Sequence, residues 1–581
     1  MRSFIKKSSL TLAFIALILT FSCKKETKEN QLTVSSTTIA LNADGGYKTL
    51  SLTTNAASWS ISCPVDWVTL SDTTGTQTTA LIMVGANSLT TTAREAILTI
   101  TAGNAEAVEV KVSQSASEFV HTISSNLTEL TFTKGGNTLS LKVSTDAPTW
   151  NVSDDVDWLS YSAETGSSGD TFINITAAEN PNDIARTATI TLHADFAPET
   201  TITVSQRGAY YPSYNTSPIP ADMSGMEHTA VEIAGNIVVG WNIGNTMEAI
   251  GGETAWGNPL ISAALIQLVK ESGFNAVRIP CSFNQHMENA ATAKIKQQWL
   301  DRVKTVVEIC VEKEMYVLLN IHWDGGWLEN NVTVAAQEAN NAKQKAFWEQ
   351  IATQLRDFDE HLIFAGTNEP NADNAEQMSV LMSYHQTFID AVRSTGGRNS
   401  YRTLVVQGPT TDITLTNSLM NTLPVDETPN RMMVEVHYYT PWNFCGMTED
   451  ANWGKMFYYW GQPNHSTTDL ERNPTYGEES TVDANFALMK SKFAQKGIPV
   501  VLGEFSATRR STLTGENLQL HNASRAYFNY YVTKKAKENG MIPFYWDNGG
   551  IGNHACGIFN RMNNTVFDQQ SLDGLIQGAN E

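Results

Sequence analysis

The sequence predicts a multidomain chain: two N-terminal all-β immunoglobulin-like sandwiches followed by a (β/α)8 TIM barrel. Three observations predict it. A tryptophan-bearing segment recurs before residue 210, with Trp59 answered by Trp150, 91 positions on. From residue 229, eight short apolar runs alternate with amphipathic stretches. And 581 residues exceed what a single hydrophobic core organises.

The first element is an export signal. Arg2, Lys6 and Lys7 precede the apolar run Leu10–Leu19, which is too short to span a bilayer. Thr20-Phe21-Ser22-Cys23 follows and resembles a bacterial lipoprotein cleavage site. Residues 1–22 are therefore expected to be removed, leaving Cys23 as an acylated first residue that anchors without spanning. The polar segment 23–31 reads as a tether. The expected location is the outer membrane, at the cell surface, with the periplasmic face as the alternative.

The repeat comes next, in modules spanning 32–117 and 120–208. Trp59-Ser-Ile-Ser-Cys-Pro-Val-Asp-Trp67 matches Trp150-Asn-Val-Ser-Asp-Asp-Val-Asp-Trp158. Arg94 matches Arg186 at the head of an alternating run, Val112-Ser-Gln matches Val204-Ser-Gln, and paired glycines (45–46, 135–136) precede each Leu-Ser-Leu. Four matches in register mark a duplication. Alternation of apolar and polar residues marks strands, and about ninety residues of short strands suit a sandwich. The tryptophan spacing and the terminal Val-Ser-Gln resemble BACON modules, which are named for carbohydrate binding. Trp59, Trp67, Trp150 and Trp158 read as core, in register with the strands, so the modules act as spacers. Pro212, Pro218 and Pro220 then give 209–228 the look of a semi-stiff linker.

The third element, 229–581, reads as eight strands, beginning near Ile237, Ala276, Tyr316, Leu362, Thr403, Met433, Pro499 and Met541. Between them, Leu300, Val303, Val307 and Cys310 share one helical face, as do Phe347, Ile351 and Leu355. A doubly wound sheet is the alternative, but no glycine-rich phosphate loop follows the first strand. In a barrel the reactive groups stand at the C-terminal strand ends. Read in order, those ends carry Asn242, Arg278, His322, Asn368-Glu369, Gln407, His437 with Tyr439, Glu504, and Trp546-Asp547. Two glutamates on the fourth and seventh strands supply the carboxyl pair that glycoside hydrolysis needs.

Thr367-Asn-Glu-Pro370 and Gly503-Glu-Phe505 resemble glycoside hydrolase family 5, a family of retaining barrel enzymes. So do Gly240-Trp-Asn-Ile-Gly-Asn-Thr, Val277-Arg-Ile-Pro, Asn320-Ile-His-Trp-Asp-Gly-Gly, Val436-His-Tyr-Tyr and Tyr545-Trp-Asp. The stretch Glu253-Thr-Ala-Trp-Gly-Asn-Pro259 looks like subfamily 4, whose members act mainly on β-1,4-glucans, including xyloglucan and mixed-linkage glucan. The resemblance implies Glu369 as general acid/base and Glu504 as nucleophile. It implies Arg278 and Tyr439 beside Glu504, Asn368 on the sugar 2-OH, His322 and His437 as orienting groups, and Trp546 as a stacking floor. A buried carboxyl beside a second one is raised, so Glu369 is expected to hold a proton near neutrality while Glu504 stays ionised. His286 is a further candidate for substrate contact. Trp256, Trp323, Trp327, Trp442, Phe444, Trp453 and Trp460 crowd the loops, where some would stack on sugar faces and others pack the loops.

The expected activity is a retaining endo-β-1,4-glucanase acting on xyloglucan, mixed-linkage glucan or cellulose-like chains. The rivals are hydrolysis of another β-glycan such as mannan, a noncatalytic surface glycan-binding protein, and an adhesive stalk. A binding protein need not keep both glutamates, and a stalk does not explain the barrel. Nucleic acid is excluded as a partner by a formal charge of -21. No cofactor is expected. No metal is expected either, since Cys23, Cys63, Cys281, Cys310, Cys445 and Cys556 fall in no close ligand spacing. The chain is expected to be a monomer whose partners are the polysaccharide and, through Cys23, the membrane.

Overall fold

The computed structural model describes residues 28–581 apart from 87–89, 91, 119 and 183. The expected signal peptide and Cys23 lie outside the described residues. Two compact units result: one holds the described residues up to Asn180 together with Arg186–Gln206, the other Pro181–Ala185 and Arg207–Glu581.

The first unit is β-rich. Its N-terminal module has one sheet of four strands and another of five. From Leu50 onward the strand Gly46–Thr54 buries every second residue (Leu50, Leu52, Thr54), as expected where one face meets a core. Leu50, Leu52, Ile82 and Val84 of one sheet share a core with Ile61, Leu98, Ile100, Val110 and Val112 of the other. In the second module the strand Thr138–Asp154 pairs with Thr165–Ala177 along most of its length and with Arg186–Ala194 at its end, shifting register between Thr145 and Thr149.

The structure accounts for the repeat. Arg94 Nε donates to Gln114 Oε1 at 2.9 Å and its guanidinium lies 4.5 Å over Trp67. In the second module Arg186 Nε donates to Gln206 Oε1 at 2.8 Å and lies 4.3 Å over Trp158. The matched Arg, Trp and Gln are one cation–π and hydrogen-bond clamp, used twice. Trp59 and Trp150 are buried in their cores.

The second unit is a closed barrel of eight parallel strands. They are β1 (Gly240–Ile243), β2 (Ala276–Cys281), β3 (Tyr316–Ile321), β4 (Leu362–Ala365), β5 (Leu404–Gln407), β6 (Met432–Tyr438), β7 (Val500–Phe505) and β8 (Met541–Asp547). Each is followed by a helix: α1 (Ala263–Glu271), α2 (Gln297–Val311), α3 (Val334–Gln354), α4 (Ala375–Ser394), α5 (Ile413–Leu419), α6 (Glu479–Lys492), α7 (Gly515–Glu538) and α8 (Gln569–Asn580). Strands covered on both faces need continuous apolar sequence, and β2, β4 and β7 are buried at every residue. A short helix, Ala230–Asn236, carries a Thr229–Glu232 capping box and packs Ile233 against Ala276, Leu318, Ile363 and Val405. That closes the barrel at the strand N-termini and leaves the other end for chemistry.

One expectation is corrected here. Residues 209–228, read as a linker, are fastened to the barrel. Glu349 of α3 accepts the backbone N–H groups of Tyr214 and Asn215 at 2.6 and 3.2 Å and the hydroxyl of Ser213. Ile219–Ala221 pairs in parallel with Gly396–Gly397. The prolines stiffen this segment, but a buried carboxylate on the barrel supplies acceptors for its N–H groups, so it docks.

Candidate active site

At the C-terminal end the barrel interior turns polar. Asn242, Arg278, Asn320, Gln407 and Glu435 are all fully buried there. Such groups persist only when their hydrogen bonds are met inside the protein. Arg278, from β2, organises them. Its Nη1 donates to Glu504 Oε1 at 2.8 Å and to Asn242 Oδ1 at 2.9 Å, and its Nη2 donates to Asn368 Oδ1 at 2.9 Å. Its Nε lies 3.0 Å from Glu435 Oε1. One planar fork therefore connects β1, β4, β6 and β7.

Glu504 is the last residue but one of β7 and is buried. Tyr439, just past β6, donates its hydroxyl to Glu504 Oε2 at 2.9 Å, so each oxygen of this carboxylate has a partner. Glu369 follows β4 and keeps 44% of its side chain exposed at the mouth. Its Oε1 meets His437 Nδ1 at 2.8 Å, and the other ring nitrogen, Nε2, meets Glu435 Oε1 at 3.1 Å. Beside them the Trp546 and His322 rings stack in parallel, centroids 5.6 Å apart and 8° between planes. Gly244 makes room for that indole, because a Cβ there would stand 2.8 Å from it. Asp547 takes no place at the mouth. It accepts from Trp241 Nε1 and the Ile558 N–H and pairs with Arg561, tying down the loop after β8.

The electrostatics depart from expectation. Burial opposes charge on His437, but Glu504 and the hydrogen bonds to Glu369 and Glu435 raise it to about 10. Burial likewise pushes Glu369 up, yet the His437 bond and charge, with Arg278, hold its carboxyl below the usual range. Glu504 is raised by burial against the pull of His437 and Arg278. These directions favour a charged imidazole between the carboxylates and work against the proton expected on Glu369.

The structure thus brings together Glu369, Glu504, Arg278, Asn368, His437 and Tyr439, with His322 and Trp546 forming one wall. His286 is elsewhere, stacked on Trp299 at 3.7 Å. Two carboxyls went unnoticed in the sequence. Glu435 lies within an apolar strand, and Glu329 sits in the loop after β3, accepting the backbone N–H of Glu369 at 2.8 Å. Burial raises Glu329 to about 7. The only signal for Glu435 was an acid two residues before a strand-end histidine, on the same strand face. Donor atoms of Glu369, His437 and Glu504 lie within 4.8 Å of one another, close enough to gather a cation. They are already engaged by Arg278, Tyr439 and each other, and a protonated His437 would repel a metal ion.

Residues 242–552 match the profile described as cellulase, glycosyl hydrolase family 5. A xyloglucan-specific endo-β-1,4-glucanase of Bacteroides ovatus is 35% identical over 74% of this chain and 86% of its own. The chain belongs to glycosyl hydrolase family 5. It is a glycoside hydrolase of the endo-β-1,4-glucanase type. Among family 5 structures, a B. ovatus xyloglucanase in complex with a XXXG heptasaccharide aligns with TM-score 0.59 and 33% identity, covering 79% of this chain and 100% of that one. A broad-specificity endoglucanase from Ruminococcus champanellensis with bound cellotriose aligns with TM-score 0.52 and 30% identity, covering 60% and 99%. Ahead of the family 5 domain, residues 57–115 match a BACON profile described as a putative N-terminal binding domain, and 122–209 a viral BACON domain.

Around the mouth of this family 5 barrel, the loop aromatics divide. Trp256, Trp323, Trp442 and Trp453 are exposed, whereas Phe444 and Trp460 are fully buried. Trp327 packs edge-on against Phe347 with Lys343 over its ring. The exposed four are available to sugar faces, and the other three pack the loops.

Proposed function

We propose that this family 5 hydrolase cleaves the β-1,4-glucan backbone of xyloglucan by double displacement, with Glu504 as nucleophile and Glu369 as acid/base. One observation carries the mechanism: a carboxylate oxygen of Glu369 and one of Glu504 lie within 4.8 Å, in keeping with the roughly 5–5.5 Å of a retaining pair and well short of the 6.5–9.5 Å that inversion needs. Glu504, held by Arg278 and Tyr439, attacks the anomeric carbon. Glu369 protonates the departing oxygen. Its proton comes from His437 Nδ1 along their 2.8 Å hydrogen bond, leaving the imidazole neutral and Glu504 ionised. Glu369 then takes a proton from the water that hydrolyses the glycosyl ester. Asn368, oriented by Arg278, faces the 2-OH, and Trp546 bears the reacting ring.

The substrate reading is supported by the likeness to a B. ovatus family 5 enzyme whose name specifies xyloglucan, and by four exposed tryptophans suited to a long, branched chain. Initial rates on xyloglucan, mixed-linkage β-glucan, carboxymethylcellulose and mannan test it. Xyloglucan should be fastest and mannan negligible, and a mannan rate above all three glucans would overturn it. Proton NMR of the first products should show the β-anomer before mutarotation.

We further propose that Cys23 is acylated and holds the enzyme at the outer membrane, with two immunoglobulin-like modules as spacers. This rests on the residues around Cys23 and the burial of Trp59, Trp150 and Trp158. Labelled palmitate should enter the wild-type chain and not Cys23→Ala.

A further inference from the structure

Glu435 belongs to none of the contacts described for substrate, yet it sits beneath both cations of the site. It lies on β6 two residues before His437, so strand geometry points both side chains into the barrel. Glu435 Oε1 lies 3.0 Å from Arg278 Nε and 3.1 Å from His437 Nε2. Glu435 Oε2 accepts from Gln407 Nε2 at 2.7 Å, and Gln407 Oε1 accepts the Thr367 N–H at 3.0 Å. That chain of bonds ends two residues before Glu369. The neighbouring strand is shaped around the carboxylate: a Cβ at Gly503 would stand 2.0 Å from Glu435 Oε1. Gly503 therefore leaves the space that Glu435 fills, one residue before Glu504.

We propose that Glu435 is a positioning residue that keeps His437 an imidazolium with Nδ1 aimed at Glu369, so that the acid is recharged with its proton from below. The inference rests on Glu369 being the acid/base. The charged and titratable groups around His437 are Glu369, Glu435 and Glu504, with Arg278 and His322 at the same mouth and the Tyr439 hydroxyl on Glu504. Of the three carboxylates, Glu369 and Glu504 change state during turnover, one by protonation and one by ester formation. Glu435 does not, and it faces the ring nitrogen remote from the acid. A fixed anion there holds the ring's tautomer and direction while its other neighbours change.

Nitrogen-15 NMR of the histidine side chains in the full chain is the first test. Wild-type His437 should carry protons on both nitrogens at pH 7, and a singly protonated ring there would overturn the proposal. In Glu435→Gln, an isostere without the charge, His437 should titrate near or below neutrality. Turnover of glucan should fall about 100-fold in kcat with little change in KM, the size of lost general acid catalysis. The dinitrophenolate burst from a 2,4-dinitrophenyl β-glycoside, whose leaving group needs no proton, should fall far less. Equal losses on both substrates, or an unmoved His437 titration, would mean that Glu435 only supports the fold. Glu369→Gln separates the two readings: if it leaves glucan turnover intact, the acid assignment fails whatever Glu435 does.

Discussion

Arg278 Nη1 stands 2.8 Å from Glu504 Oε1, an ion pair with almost no exposure on either side. The same guanidinium faces Glu435, so its removal strands two buried carboxylates at once. Breaking a buried pair from one side costs about 3–5 kcal/mol. Arg278→Met should lose that much in urea unfolding, and glucan turnover should vanish. Arg278→Lys should keep part of the stability and little of the activity, because an ammonium cannot hold Asn242, Asn368 and Glu504 together.

Tyr439→Phe is the gentler probe of the nucleophile. It deletes the hydroxyl that donates to Glu504 Oε2 and little else. A hydrogen bond to a charged group is worth about 1.5–3 kcal/mol, so kcat should fall between about 10- and 200-fold. Thermal stability should hardly move. A variant with wild-type kcat would remove Tyr439 from the mechanism.

These side chains differ in how far the sequence exposed them. The barrel strands were legible because buried parallel strands must be apolar throughout, and Leu362–Ala365 falls where the pattern put it. The start of α3 was not. The apolar face was marked only by Phe347, Ile351 and Leu355, but the helix opens at Val334, through Gln337, Glu338, Asn340 and Asn341, where no apolar stripe marks a face. Glu369 and Glu504 were readable as strand-end letters beside recognisable neighbours. Glu435 was not, because its partners Arg278 and Gln407 come from two other strands and only closure of the barrel brings them to it. Glu349 was silent for the same reason.

That buried Glu349 carries the next prediction. Its carboxylate satisfies the N–H groups of Tyr214 and Asn215 as well as the Ser213 hydroxyl. Glu349→Ala leaves those donors without their acceptor, at about 1–3 kcal/mol. Limited proteolysis should then cut within 209–220 at protease levels that leave the wild type whole. kcat should be unaffected, since the segment makes no contact with Glu369 or Glu504. Unchanged resistance would mean that the Ile219–Ala221 pairing alone holds the segment.

Trp442 lies edge-on to Tyr439, with ring centroids 6.3 Å apart and half of its surface exposed. Trp453 is more exposed still, at the tip of a turn clamped by Arg472 and Asp450. An exposed indole beside the mouth serves ground-state and transition-state binding alike. Replacing either by alanine should therefore raise KM on polymer several-fold, for about 0.5–1.5 kcal/mol of stacking, and leave kcat nearly unchanged. If kcat falls in step with kcat/KM, the ring acts on the transition state instead.

The pH dependence of folding follows from where the protons sit. Burial raises Glu248, Asp324 and Glu329 to about 7 each. In the unfolded chain they ionise near pH 4. Between these values the folded state binds more protons, so stability falls as pH rises. His437, raised to about 10, has the same sign: its contribution is whole below about 6.5 and is lost as pH climbs through 10. Asp568, held far below the carboxylate range by Arg525 and Arg509 against its burial, and Glu369, lowered by His437, act oppositely; their contributions disappear only in acid. Burial also holds His286 and His385 at about 4, His521 at about 3 and His322 well below the usual range, so these rings stay neutral when folded and oppose that fall up to about pH 6.5. The thermal midpoint should therefore peak at about pH 6–7 and decline toward about pH 9. Calorimetry at about pH 7.5, where those histidines are neutral in both states, in buffers of different ionisation enthalpy should show protons released on unfolding. Proton uptake there, or a midpoint that climbs from about pH 7 to 9, would mean that the buried carboxyls are ionised in the folded enzyme. Glu369, whose backbone N–H Glu329 accepts, would then face a second anion.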